Sequence, residues 1–347
     1  MTLKQIAEAV GVAQSTCSRI LNRDPSLVIS DEKRRKVIET AEALNYVTRR
    51  ARRKTDTDLT VEARMPVRSQ PIILSHFLSS SEELSRPYFI GIRQGIEARS
   101  ELYRTQLNRT NSADVLGTLS NSSHITGVIC VGDHPRSLLE KLVERDVPVV
   151  LADPTELIPN VDYVDVDIES ATWDICDWLA ERGILRPAIL GITPSEKSTG
   201  RGRRYRGYLR WMKEHGRFDE ALVKPANMQG ADLTSFVHEV FSDPSKGGET
   251  RADGLIVNTD HQAGQAYRAL SELGLRIPDD VAVVGFNDGP VAQLVEPNLT
   301  SIALDPVLIG ETAVDLLMER LSGRETTKHV SIGYKIIGRN STPVPPS

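Results

Sequence analysis

The chain has 347 residues, 39% hydrophobic and 26% charged, which is enough apolar content for packed cores and too much for a disordered chain. No apolar run approaches the ~18–20 residues of a membrane span. The three cysteines, Cys17, Cys130 and Cys176, are far apart and form no CxxC, which excludes a disulfide scaffold and a zinc ribbon. The N-terminus MTLKQIAEAV carries Glu8 and has no signal-peptide core. The expectation is a reduced, cytoplasmic protein of two or three domains with no membrane partner.

Charge is distributed unevenly. The whole chain carries −5, but residues 1–54 carry +6 and the rest −11. A small basic head on an acidic body points to a head that meets a polyanion. A solvated basic tail would have the same charge, so the residue pattern has to decide.

That pattern reads as three short helices. Thr2 and Gln5 form a capping box, and Leu3, Ile6, Ala7 and Val10 share one helical face. Gly11 ends this helix in a turn that needs positive φ. Ala13 to Leu21 form a second helix with Cys17, Ile20 and Leu21 inward and Gln14, Ser15, Ser18 and Arg19 outward. After a loop containing Pro25, Ser30 caps a third helix with Asp31 and Glu32 in its first turn. Val37, Ala41 and Leu44 form its buried stripe. A helix, a glycine turn and a helix with an exposed polar face make a helix-turn-helix. Gln, Ser and Arg on the second helix are side chains that read base edges in a major groove.

Residues 2–22, TLKQIAEAVGVAQSTCSRILN, resemble the N-terminus of the lactose/galactose repressor (LacI/GalR) family of bacterial transcription regulators. Ile6, Ala7, Gly11, Val12, Thr16, Ser18, Arg19, Ile20, Leu21 and Asn22 match its pattern, and Ala-Leu-Asn-Tyr at 43–46 matches the end of the third helix. The resemblance implies that Gln14 and Ser15 hold the specificity positions. It implies that Arg19 contacts bases and that Thr16, Ser18 and Asn22 lie near phosphates of double-stranded operator DNA. Ala13 departs from the usual serine, and Cys17 from valine. Cys17 reads as a small core residue rather than a redox sensor. The hinge departs further: it lacks the family's proline, and Lys54 or Thr55 stands where a leucine wedges into the minor groove. Arg49, Arg50, Arg52 and Arg53 can still bind phosphate or an A·T-rich minor groove. The head with its basic hinge spans 1–54, and 55–70 is flexible linker.

From Pro71 onward, short apolar runs (72–77, 127–131, 148–151, 188–191, 255–257, 281–286) alternate with helical patterns (88–102, 136–145, 169–182, 203–215, 261–274, 307–321). Strands alternating with helices imply parallel sheets wound by helices. The fold class is thus α/β, with an all-α head and a two-lobed body at 71–340. A short tail spans 341–347. The family resemblance implies a periplasmic-binding-protein-like body. Its motifs are present as Arg204-x-x-Gly207-Tyr208, Asp260 with Ala263, Asp280 to Asp288, and Leu299 to Ile302 with Asp305 and Gly310. Ligands of such folds bind at the carboxyl ends of strands, between the lobes.

A small sugar is the expected effector, because vicinal hydroxyls suit the paired donors of Arg and the acceptors of Asp or Asn. Carried over from the family, the polar candidates are Asp153, Arg204, Asp260 and Asn287. The stretch from Glu82 to Ile96 resembles the signature of a β-galactoside and galacto-oligosaccharide regulator subgroup. It adds Glu83 as an acceptor and Tyr88 as a stacking ring; Phe89 is the alternative ring. Gly230 stands near a family aromatic position.

Competing readings are weaker. RGRRYR at 201–206 reads as one pocket arginine, Arg204, on an otherwise solvated helix face rather than a second nucleic-acid patch. His261 is a further candidate for the pocket lining. Asp165 and Asp167 share one strand face, as a glycosidase pair would, but also as strand-end groups beside a cleft would. No nucleophile or metal motif appears, so no enzymatic activity, cofactor or metal is expected.

One head reads too few base pairs alone, so a homodimer on a near-palindromic operator is expected. No heptads follow Arg339, so no coiled-coil tetramerisation tail is expected. Sugar-induced release is the default. The alternatives are a global regulator controlled by a phosphocarrier protein, or a sugar receptor that does not bind DNA.

Overall fold

The computed structural model describes residues 7, 10–21, 29–30, 33, 36–37, 40, 71–121, 125–190, 202–224, 231–241 and 252–345. The chain divides into two compact units, Met1–Arg68 and Ser69–Ser347.

In the first unit, Gly11 takes φ +69, the left-handed turn that lets the chain reverse without a Cβ clash. The amide of Val12 donates back to the carbonyl of Ala7 at 3.0 Å. Helix α1 (Gln14–Leu21) follows. Ala7, Cys17, Ile20 and Val37 are buried together, with Val10, Val12 and Ile29 packed against them. Cys17 is therefore a core residue, and burial raises its thiol pKa. Gln14 and Arg19 are exposed and Thr16 is half-buried. Asn22, the hinge arginines Arg49, Arg50, Arg52 and Arg53, and the 55–70 linker lie outside the described residues.

The second unit opens with β1 (Ile72–His76), α2 (Ser80–Leu84), α3 (Pro87–Leu102), β2 (Leu107–Asn111), α4 (Val115–Ser120), β3 (Gly127–Val131), α5 (Arg136–Val143), β4 (Val149–Ala152) and β5 (Asp162–Val166). Next come α6 (Ile168–Ala180), β6 (Pro187–Leu190), α7 (Arg203–Glu214), β7 (Val223–Lys224), α8 (Ala231–Phe241), β8 (Gly254–Ile256), α9 (Asp260–Glu272), β9 (Ala282–Asn287), α10 (Val291–Leu294) and β10 (Thr300–Ala303). The chain closes with α11 (Pro306–Leu321), β11 (His329–Ile332) and β12 (Lys335–Ile337).

Two six-stranded sheets result. Lobe 1 has the order β2-β1-β3-β4-β5-β11, and lobe 2 the order β7-β6-β8-β9-β10-β12. Every strand pair is parallel except β10 with β12. Helices cover both faces, so the central strands are apolar throughout rather than alternating. β1, β3 and β4 are buried at every residue. The edge strands β2 and β11 are only half covered. Their polar sequences, Leu-Asn-Arg-Thr-Asn and His-Val-Ser-Ile, contain no apolar run that would announce a strand.

The chain crosses between lobes between β5 and α6, between β10 and α11, and between β11 and β12. α6 packs its Ala171, Ile175, Cys176 and Leu179 into the lobe-2 core. α11 returns to lobe 1, where its Ile309, Ala313, Val314 and Leu317 join Ile92 and Ile96 of α3. The two helices touch backbone to backbone: a Cβ on Gly310 would collide with the carbonyl oxygen of Ile92, and one on Gly95 with that of Val307. We expect Gly310→Ala to destabilise the body by about 1–3 kcal/mol, an overpacking cost, read as a lower melting temperature.

Candidate effector site and DNA-reading helix

The carboxyl edges of the two sheets bring three of the expected effector residues together. Tyr88 sits in the first turn of α3, which Pro87 opens. Asp153 follows the last residue of β4 and adopts φ +51. Arg204 sits in the first turn of α7. The Tyr88 hydroxyl faces the Asp153 carboxylate. Burial, then that negative charge, push the tyrosine pKa well up. Burial also raises the Asp153 pKa, against the pull of Arg203 and Arg204. Arg204 is lowered by burial, with Asp153 and Tyr88 opposing the shift. Its guanidinium lies over the Phe286 ring, 4.6 Å from the centroid, a cation–π contact that fixes the plane of the fork. Its buried Nε has no hydrogen-bond partner among the described residues. A buried donor left unpaired costs about 1–3 kcal/mol, so this cluster is primed for an acceptor.

Aromatic rings line the lobe-1 side. Phe89 meets Phe77 edge-on at 4.9 Å, Tyr88 at 5.2 Å and His76 at 6.0 Å. Such rings suit the apolar face of a pyranose. Asn287 ends β9 half-buried with φ +97, and Asp288 follows at φ +52. Asp153, Asn287 and Asp288 are non-glycine residues held in a sparsely populated region. Such backbone persists where surrounding structure over-determines it, commonly at ligand clamps.

Other expected residues are used differently. Glu83 is buried, but it accepts from Arg93 Nε at 2.6 Å and pairs with Arg109 at 3.4 Å. Its charge is committed inside lobe 1 rather than to the Tyr88–Asp153–Arg204 cluster. Asp260 is also buried: its Oδ2 accepts from the Gly289 amide at 2.6 Å and its Oδ1 from the Ser301 hydroxyl at 2.7 Å. Both carboxylate oxygens therefore tie the loop after β9 to β10. His261 is exposed, and Gly230 lies outside the described residues.

Burial raises the Asp260 pKa to about 6, against the lowering by Ser301 and Gly289. A carboxyl whose folded pKa exceeds its unfolded value of about 3.9 contributes stability below that pH, and loses it as pH rises through the folded pKa. Asp260→Asn removes this titration. Between pH 4 and 7 the parent should lose about 1–3 kcal/mol of stability relative to the variant, measured by paired denaturant melts.

Asp165 and Asp167 do not act as a pair. Asp165 is ion-paired with Arg203 at 2.5 Å. Asp167 caps α6, accepting from the Ser170 amide at 3.0 Å. Arg203 corrects the expectation of a solvated helix face around Arg204, because its guanidinium is turned across to lobe 1. Residue order alone does not distinguish two adjacent arginines on a helix. They point about 100° apart on the helix, and only the packing of α7 selects which way each points. No group of His, Cys, Asp and Glu among the described residues forms a metal site, and no described helix is long and apolar enough to cross a membrane.

A helix-turn-helix head and a two-lobed parallel α/β body, with polar and aromatic side chains gathered at the carboxyl edges of both sheets, define a ligand-responsive DNA-binding regulator. The profile of the bacterial regulatory proteins, lacI family, matches residues 2–49, and that of the periplasmic binding protein-like domain matches 176–342. The chain belongs to the lacI family. It is 29% identical to the HTH-type transcriptional regulator GalR of Streptococcus thermophilus, over 98% of this chain and 99% of the relative. It is 48% identical over 97 residues to the lactose operon repressor of Rhizobium radiobacter, which covers 28% of this chain and 86% of that one. The solved transcriptional regulator CelR–cellobiose complex shares the fold, with a TM-score of 0.68 at 24% identity over 98% of this chain and 99% of that one.

Proposed function

We propose that this chain is a transcription repressor of carbohydrate-utilisation genes whose homodimer releases a near-palindromic operator when a neutral galactoside binds between its lobes. It acts in the cytoplasm, with no cofactor and no catalysed reaction. The observation that carries this reading is the Tyr88–Asp153–Arg204 cluster at the carboxyl edges of the two sheets. Arg204 offers paired donors and an unpaired Nε, Asp153 offers acceptors, and the rings beside them offer an apolar wall. Among the described residues, the charge of Arg204 is balanced by Asp153 and that of Arg203 by Asp165. A balanced site favours an uncharged sugar over a sugar phosphate. The galactoside class is supported by the Glu82–Ile96 signature and by the lactose operon repressor among the relatives.

In the head, Gln14, Ser15 and Arg19 are assigned to base reading. Thr16, Ser18, Asn22 and the hinge arginines are assigned to the phosphate backbone. For release, the sugar has to bind the DNA-free form better than the DNA-bound form, by ~1–3 kcal/mol of coupling. The test is operator binding by the purified dimer to the DNA upstream of its own gene, at fixed salt, with and without lactose, allolactose and galactobiose. One of these should weaken binding about 5–150-fold. Tight binding that none of them changes would remove the galactoside and leave the DNA reader.

A further inference from the structure

Arg203 is rooted in lobe 2: its helix α7 buries Tyr208, Trp211 and Met212 in the lobe-2 core. Its guanidinium nevertheless holds three lobe-1 oxygens. Nη1 donates to Asp165 Oδ2 at 2.5 Å and to the Val166 carbonyl at 3.3 Å, and Nη2 donates to the Pro154 carbonyl at 2.7 Å. The Arg203 and Asp165 side chains are 17% and 12% exposed, so water and salt screen the pair far less than a surface pair. Pro154 directly follows Asp153, whose backbone is held at φ +51. The grip on the Pro154 carbonyl therefore fixes the turn that aims Asp153 at Tyr88 and Arg204.

We propose that Arg203 is an inter-lobe clamp and a positioning residue: with Asp165 it holds the lobes closed, and through Pro154 it sets Asp153 for the effector. The clamp stands on the ion pair and hydrogen bonds alone. The positioning role rests on the effector reading above. Arg203 does not itself need to touch the sugar. The fork reaches a carboxylate and two carbonyls at once, a geometry that a lysine ammonium does not reproduce.

The test uses the full-length protein with Ser137→Cys in α5 of lobe 1 and Ser271→Cys in α9 of lobe 2, both exposed. Cys17, Cys130 and Cys176 are buried, so a donor and an acceptor dye go to the new sites. Without any sugar, R203M and D165N should each lower energy transfer between the lobes. The double variant should be no more open than R203M alone, because R203M already removes the contact that D165N takes away. R203K should fall between R203M and the parent. With lactose as the probe, R203M should weaken sugar affinity about tenfold or more. Transfer at the parental value in both single variants overturns the clamp. Lowered transfer with unchanged lactose affinity overturns the positioning role. A parent that binds no lactose counts against the galactoside reading, and the sugar-free transfer measurement still decides the clamp.

Discussion

Arg204→Ala should leave operator binding within a few-fold of the parent and abolish release by sugar. Arg204 has its plane set by Phe286 and its charge set against Asp153, and in the proposed effector site it is the lobe-2 group that supplies several donors. A hydrogen bond to a charged group contributes about 1.5–3 kcal/mol, so losing a two-toothed grip weakens sugar binding on the order of a hundredfold or more. Alanine also leaves Asp153 with less positive charge nearby, which pushes its carboxyl further toward the protonated form. Arg204→Lys should not restore the response, because a point charge lacks the planar fork. The measurements are calorimetric titration with the inducing sugar and operator binding by gel shift. Sugar release that survives in Arg204→Ala would move the effector site away from this cluster.

Arg19→Ala should do the reverse. Arg19 is exposed on α1, one helical turn beyond Thr16 and Ser15, on the helix assigned to the major groove. A bidentate base contact discriminates by about 1–3 kcal/mol, so operator affinity should fall roughly 5–150-fold while sugar affinity in the body stays at its parental value. A purely phosphate role has a different signature: a uniform loss across DNA sequences and a salt slope reduced by about one. Operator binding over a salt series, with a scrambled duplex as control, separates the two. Unchanged operator affinity would sink the groove assignment for α1.

Much of the body was legible because its central strands are buried on both faces. Runs such as Ile72–Leu74 and Val128–Val131 can only be interior parallel strands once helical patterns alternate with them. Edge strands β2 and β11 were not legible, since half of each faces solvent and no apolar period survives. Gly11 was legible because a tight turn after an amphipathic stretch leaves few other residues that tolerate positive φ. Burial of Cys17 followed from its helical spacing with Ile20.

The site divides along the same line. The resemblance to the family and its subgroup signature points to Arg204, Asp153 and Tyr88, and these residue types supply the forked donors, carboxylate acceptor and flat apolar face that a sugar needs. Glu83 and Asp260 have the right chemistry but are spent internally, one on Arg93 and Arg109, the other on Gly289 and Ser301. A carboxylate's type does not reveal which donors reach it first; these come from residues 10 to 41 positions away, and only tertiary packing brings them close. Arg203 is the sharpest case. Its role as a bridge between lobes depends on Asp165 and Pro154, contributed by a different sheet 38 and 49 residues earlier. Local periodicity, turn chemistry and motif spacing are properties of neighbouring residues, so the chain's head and its alternating body follow from residue order. The partner of each buried charge is a long-range contact: those of Glu83 and Asp260 form when their own lobe folds, and that of Arg203 exists only once two lobes have folded against each other.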